Sequence, residues 1–309
     1  MLGPLIVILS KDFSESGAKR SVPLFRKSAP QLKKPAWSYT VKGAIWRIHS
    51  TTTGTLMGEE RRTDDKKAIF FCLNRENGGE LWRKSLPGDE WWIGIEAVCG
   101  DTVLFHGFAT PDLPLHRGII VADVRSGEIL WEDRQLEFVG ASGDSIFGST
   151  ETSAGRAFVE LDRRSGLLLR NVDPAELPAL HQTLSHQAAN AMEGESPLPL
   201  EHLVAEDPEI GSIVSDHCSE RTVTGSIEAV ATKNFVIFDH HDVSDRGTPQ
   251  ERLFSATIKV IDRRTGGLVY SDTVSGDLHS VIPELFLVRQ DMLYYIKERR
   301  TLIAVHLAS

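Results

Sequence analysis

The stretch Asp123-Val124-Arg125-Ser126-Gly127-Glu128-Ile129-Leu130-Trp131 stands between two apolar runs, and the chain repeats its pattern. Asn74-Arg-Glu-Asn-Gly78-Gly79-Glu-Leu-Trp82 precedes it; Asp162-Arg-Arg-Ser-Gly166-Leu-Leu-Leu169 and Asp262-Arg-Arg-Thr-Gly266-Gly-Leu-Val-Tyr270 follow. An Asp or Asn at a strand end bonds the backbone two residues on and starts a turn. Gly then supplies the positive φ that a tight connection needs. The next strand opens apolar and carries an aromatic at Trp82, Trp131 and Tyr270, as suits an outer strand covering a neighbouring sheet.

A second beat runs in phase. Gly54, Gly100-Asp101 and Gly143-Asp144 are spaced by 46 and 43 residues, and Lys233-Asn234 follows after 90. The turn phrase itself skips 100 residues, from Asp162 to Asp262. Both series miss a beat where Glu201-His-Leu-Val-Ala-Glu-Asp207-Pro-Glu-Ile-Gly211 reads as a degraded copy. A supersecondary unit repeated at this period must stack on its neighbours to bury its apolar faces. The last unit, from near Leu278, reaches the end of the sequence after three strands, and Ala36–Thr40 is expected to supply its fourth, closing a ring between the termini.

The Asp-x-x-x-Gly-x-x-x-Trp phrase resembles the repeat of the quinoprotein-type (PQQ-like) β-propellers. The resemblance implies an all-β propeller of four-stranded blades, with the phrase joining the third and fourth strand of each. Six blades of about 45 residues are the expected count, with five or seven as alternatives. Residues 1–35 form an expected N-terminal arm with Leu5–Leu9 as a possible extra strand, and residues 36–309 one propeller domain. Residues 174–224 are its degenerate blade or an insertion, with a turn or two of helix from Glu176. Only two copies of the phrase keep Trp. The quinone chemistry of the family would need a Trp floor and a calcium site of carboxylates and amides, and neither is evident.

Composition narrows the function classes. A formal net charge of −9 argues against a nucleic-acid groove or a polybasic membrane surface. No apolar run reaches the length of a membrane span. Cys72, Cys99 and Cys218 lack metal-type spacing and read as buried small side chains of a reducing compartment. The expected location is cytoplasmic, with export as the alternative if apolar Met1–Leu9 acts as a signal. There is no P-loop, dinucleotide fingerprint or nucleophile elbow.

Candidate site residues lie where loops of successive blades converge. Asp239, His240, His241 and Asp242, with Asp245 close by, carry the donor types of a zinc or other divalent-metal site. Strand alternation sends Asp239 and His241 to one face and His240 and Asp242 to the other, so His106, His116 or His279 would have to complete it. Trp46, Trp91 and Trp92 are the aromatic group expected to floor a ligand pocket or anchor a partner. His217-Cys218 lacks an orienting third group and reads as no catalytic pair. Glu59–Lys67 reads as a solvated, charged hairpin tip, or else a docking loop. The function expected is a non-enzymatic scaffold binding a protein or small ligand on its loop rim. The alternative is a metal- or quinone-dependent enzyme with its site at the central channel.

Overall fold

The structure, a computed structural model, describes residues 32–308 apart from 88–89, 111–112, 154, 181, 185–196, 219–222, 245 and 248–251. The N-terminal arm and its Leu5–Leu9 strand, together with Asp245, lie outside the described residues. Residues 32–309 form one compact unit.

Among the described residues, five antiparallel sheets follow one another along the chain. Sheet one holds β2 (Ala44–Ser50), β3 (Thr55–Arg62), β4 (Lys67–Asn74) and β5 (Glu80–Lys84). Sheet two holds β6 (Ile93–Cys99), β7 (Thr102–Thr110), β8 (Leu113–Asp123) and β9 (Ile129–Asp133). Sheet three holds β10 (Glu137–Ser142), β11 (Ser145–Thr152), β12 (Gly155–Asp162) and β13 (Leu168–Val172). Sheet four is five-stranded: β14 (Leu198–Pro199), β15 (Glu228–Ala231), β16 (Phe235–Val243), β17 (Phe254–Asp262) and β18 (Leu268–Leu278). Sheet five joins β19 (Phe286–Arg289), β20 (Met292–Lys297) and β21 (Thr301–His306) to β1 (Trp37–Thr40) from the other end of the chain. The register of that last pairing runs from Trp37 opposite Ala304 to Thr40 opposite Thr301.

The turn phrase folds alike in all four copies. The Asn74, Asp123, Asp162 and Asp262 side chains each accept a backbone N–H two or three residues on, at 2.8–3.0 Å. The phrase glycine donates its N–H back to the carbonyl of that first residue at 2.8–2.9 Å, with φ between 65° and 70°. The aromatic then latches sheet to sheet. The Trp82 ring lies against Gly127 of the next sheet, 2.8 Å from where a Cβ would stand, and its Nε1 donates to the Val124 carbonyl at 2.7 Å. Trp131 repeats this on Gly166 and the Arg163 carbonyl at 2.8 Å. Trp37 of β1 repeats it on Gly78 and the Arg75 carbonyl at 3.1 Å, so sheet five meets sheet one through the same joint. In sheet four Tyr270 takes the aromatic place, and its hydroxyl meets that of Tyr295 in sheet five at 2.7 Å.

Apolar faces are shared in the order four, five, one, two, three. Ile258 and Val260 meet Leu293 and Tyr295; Leu302 and Ala304 meet Leu56 and Leu73. Phe70 meets Phe105 at 4.6 Å between ring centroids, and Ile119 and Val121 meet Ile146 and Leu161. Among the described residues, sheets three and four share no such cluster. Instead Leu177, Leu180 and Leu184 pack on sheet three, while α1 (Leu200–Glu206) and α2 (Pro208–Ser215) cover sheet four through Ile210, Ile213 and Val214. Among the described residues no aromatic reaches Gly266, and Leu167 and Leu168 lie exposed.

The described residues thus form one sheet fewer than the six units counted from the sequence. Asp207-Pro208-Glu209, read as a worn turn, is a helix start: the Asp207 side chain caps the Glu209 N–H at 3.2 Å and Pro208 opens α2. The helix expected from Glu176 is present, as a 3-10 turn over Pro174–Glu176 followed by helical residues 177–180 and 182–184.

Candidate functional site

Two adjacent carboxylates build the cavity that brings the tryptophans together. Glu59 and Glu60 in β3 are 1% and 0% exposed, so the charged stretch from Glu59 is not a solvated tip at its start. An isolated buried carboxylate is costly, and each is satisfied by hydrogen bonds. Glu59 accepts from Arg61 Nε at 2.6 Å and from the Ile95 N–H of sheet two at 3.0 Å. Arg61 in turn donates to the carbonyls of Trp91 and of Ile93, the latter at 2.6 Å. Glu60, on the opposite face of β3, accepts from the Gly43 N–H at 2.7 Å, from Arg62 Nε at 2.9 Å and from Arg83. Residue 43 must be Gly, because a Cβ there would lie 2.3 Å from the Arg61 carbonyl oxygen. One carboxylate therefore fixes the backbone around Trp91 and the other the backbone leading into Trp46.

Between these walls is a cavity of about 920 Å³. Trp46, Trp91, Trp92 and Phe108 give it aromatic surface; Lys42, Arg61, Arg62, Arg299 and Arg300 line it with cations, and Asp64, Asp65 and Glu298 with carboxylates. Trp46 is 56% exposed. It is the residue skipped where the β2–β3 register shifts between Ile45 and Arg47, a bulge that re-aims a side chain. Trp91 carries the Arg61 guanidinium over its ring at 5.4 Å, and Trp92 meets Phe108 edge-on at 5.8 Å. Arg299 sits on the three-residue hairpin turn 298–300, in which Glu298 (φ 49°) and Arg299 (φ 58°) are both left-handed without being glycine. Such strain persists where the surroundings impose it. Here the Arg299 and Arg300 carbonyls accept from the Ile45 and Val41 N–H groups at 2.7 and 3.0 Å.

Phe108 also touches a second group. The His106 and His116 rings stack at 3.5 Å between centroids, 19° from parallel, and each meets Phe108 edge-on, at 5.0 and 5.4 Å. His116 Nδ1 lies 2.7 Å from Glu96 Oε2. Glu96, which the sequence did not single out, is the bulge residue of β6, skipped between Ile95 and Ala97. It lines another cavity, of about 540 Å³, with Cys99, Phe138, Arg163 and Leu184. Burial, and next the nearby His116, push the His106 pKa down to about 4. Among the described residues, Glu96, His106 and His116 are the group placed to share a metal ion.

The β16 residues are divided as strand alternation requires. His240 and Asp242 pair on one face, Nε2 to Oδ2 at 3.2 Å, while His241 Nε2 accepts from the Ile282 N–H at 3.3 Å on the other. Asp239, His240 and His241 lie inside the strand and are buried. His106 and His116 belong to sheet two and group with Glu96 instead; His279 follows β18 and lines neither cavity. The three cysteines are free thiols, Cys72 fully buried and Cys99 and Cys218 partly so; burial raises all three pKa values, to about 11 for Cys72.

A family model described as a domain of unknown function (DUF4905) matches residues 49–131, which hold Arg61, Trp91, Trp92, Glu96, His106 and His116 but not Trp46. None of the curated proteins matches the chain. Among solved structures, the β-propeller domain of the Trilobed protease from Pyrococcus furiosus is 8% identical, with a TM-score of 0.29 over 83% of this chain and 64% of that one. The uncharacterized protein lmo1340 from Listeria monocytogenes EGD-e is 10% identical, with a TM-score of 0.29 over 85% of this chain and 62% of that one. BBS1N, solved in complex with ARL6DN, is 10% identical, with a TM-score of 0.33 over 91% of this chain and 98% of that one. The chain thus spans less than two thirds of the first two of these. Among the described residues no helix is long and apolar enough to cross a membrane.

Proposed function

We propose that the chain is a β-propeller scaffold that binds an anionic ligand with a flat apolar face in the Trp46, Trp91 and Trp92 cavity. In this reading the five sheets are blades, β1 fastens the last to the first, and the helical turns at 174–184, with α1 and α2, fill the sector between sheets three and four. The repeated aromatic-on-glycine joint supports the radial arrangement. The quinoprotein-type resemblance rests on the turn phrase alone and assigns no cofactor.

One observation carries the ligand reading: three tryptophans on backbone pinned by buried carboxylates, beside Arg299 and Arg300, in a chain of net charge −9. Rigid aromatic walls with a few placed charges are the make-up of a ligand pocket. Guanidinium groups prefer carboxylate, sulfonate or phosphate, and aromatic rings accept flat apolar bodies. Tryptophan fluorescence with a panel of naphthyl and indolyl carboxylates, sulfonates and phosphates, each beside its neutral amide or alcohol, tests this. The expected result is saturable quenching by an anionic member, with Arg299→Ala plus Arg300→Ala weakening it at least about tenfold and Trp46→Ala abolishing most of the signal. Equal binding of anionic and neutral partners, or no quenching across the panel, contradicts it. The second reading, a metal-dependent enzyme, draws on the group formed by Glu96, His106 and His116.

A further inference from the structure

Glu96, His106 and His116 come from three neighbouring strands of sheet two, β6, β7 and β8, so a rigid sheet sets their spacing. One donor atom from each lies within 4.8 Å of the others. We propose that these three residues form a divalent-cation site of two imidazoles and one carboxylate, suited to zinc or an ion of similar preference.

The local chemistry favours that assignment. His106 is 3% exposed, and its Nδ1 lies 3.1 Å from the Gly107 carbonyl. A carbonyl can only accept, so Nδ1 carries the proton and Nε2 keeps its lone pair, the tautomer a metal-binding histidine needs. Space beside Nε2 exists because residue 94 is Gly: a Cβ there would lie 2.9 Å from that nitrogen. The Glu96 carboxylate supplies the negative charge and lies 2.7 Å from His116 Nδ1.

The stacked rings add a specific expectation. Nearly parallel imidazoles aim their in-plane lone pairs side by side, not at one point. An ion therefore draws in His116, the more exposed ring, and opens the stack on Phe108. Two nitrogens and one carboxylate leave a tetrahedral ion one position for water or ligand. Glu96 borders the 540 Å³ cavity, which gives that position access.

None of the three residues lines the tryptophan cavity, which they meet through Phe108, and the test uses the metal alone. The full chain, stripped with a chelator, is titrated with zinc by calorimetry and with cobalt by visible absorption. One equivalent is expected to bind, with cobalt bands of a low-coordinate site. Glu96→Gln and His116→Ala should each raise the dissociation constant at least about tenfold. Both positions are partly exposed, so these variants keep the proposal testable if His106→Ala does not fold. Absence of saturable zinc binding, or binding unchanged in both variants, overturns the proposal. So does binding lost instead in the His240→Ala, His241→Ala double variant, which would move the ion to β16.

Discussion

The Asp239 carboxyl faces Glu228 across the β15–β16 pair, and its Oδ2 has no hydrogen-bond partner among the described residues. Burial first, then the Glu228 charge, pushes its pKa from 3.8 up to about 8. A raised folded-state value means that the folded chain holds this proton more tightly than the unfolded one. The resulting stabilisation is full below pH 3.8 and is lost progressively as pH rises to about 8. Asp239→Asn should therefore melt increasingly above the parent as pH goes from 5 to 9. A melting-temperature difference that stays constant over that range contradicts the assignment. The sequence showed that Asp239 and His241 share a face; it did not show that this face is buried against sheet five. Glu59 and Glu60 read as exposed for the same reason: their partners, Ile95 in another strand and Gly43 in the link before β2, leave no mark beside them.

The recurring element is the joint between an outer-strand aromatic and the next sheet's phrase glycine. Its turn half was legible at Asp123 and Gly127, since side-chain type dictates that backbone locally. The destination of the Trp was legible only as a neighbouring sheet. Trp131→Ala removes a half-buried ring and its bond to the Arg163 carbonyl, and should cost about 2–4 kcal/mol in denaturant unfolding. Leu168→Ala, on an exposed stretch that makes no such joint, should cost less than about 0.5 kcal/mol. Equal costs would remove the joint from the account. The bulges that re-aim Trp46 and Glu96 were not legible: Ile93–Cys99 reads as an ordinary strand, and an inserted residue leaves no compositional trace.

At the scale of the molecule, beat spacing gave the sheets on either side of residues 174–224; within that stretch it called for a further unit, where the described residues show helices and the two-residue strand β14. A gap of two beats looks the same whether strands or helices fill it, and here helices cover both flanking sheets. The tryptophan cavity depends on how the ends meet, for β2 enters directly from β1 and Arg299 and Arg300 cap the hairpin into β21. Pairing of β1 with β21 is thus the claim on which both the proposed ring and the site rest. Hydrogen exchange followed by mass spectrometry on the full chain measures it directly. The account expects amides of Trp37–Thr40 to be protected to the same degree as those of Thr301–His306, and to open together with them. Complete exchange of Trp37–Thr40 within seconds, while Thr301–His306 stay protected, would contradict it.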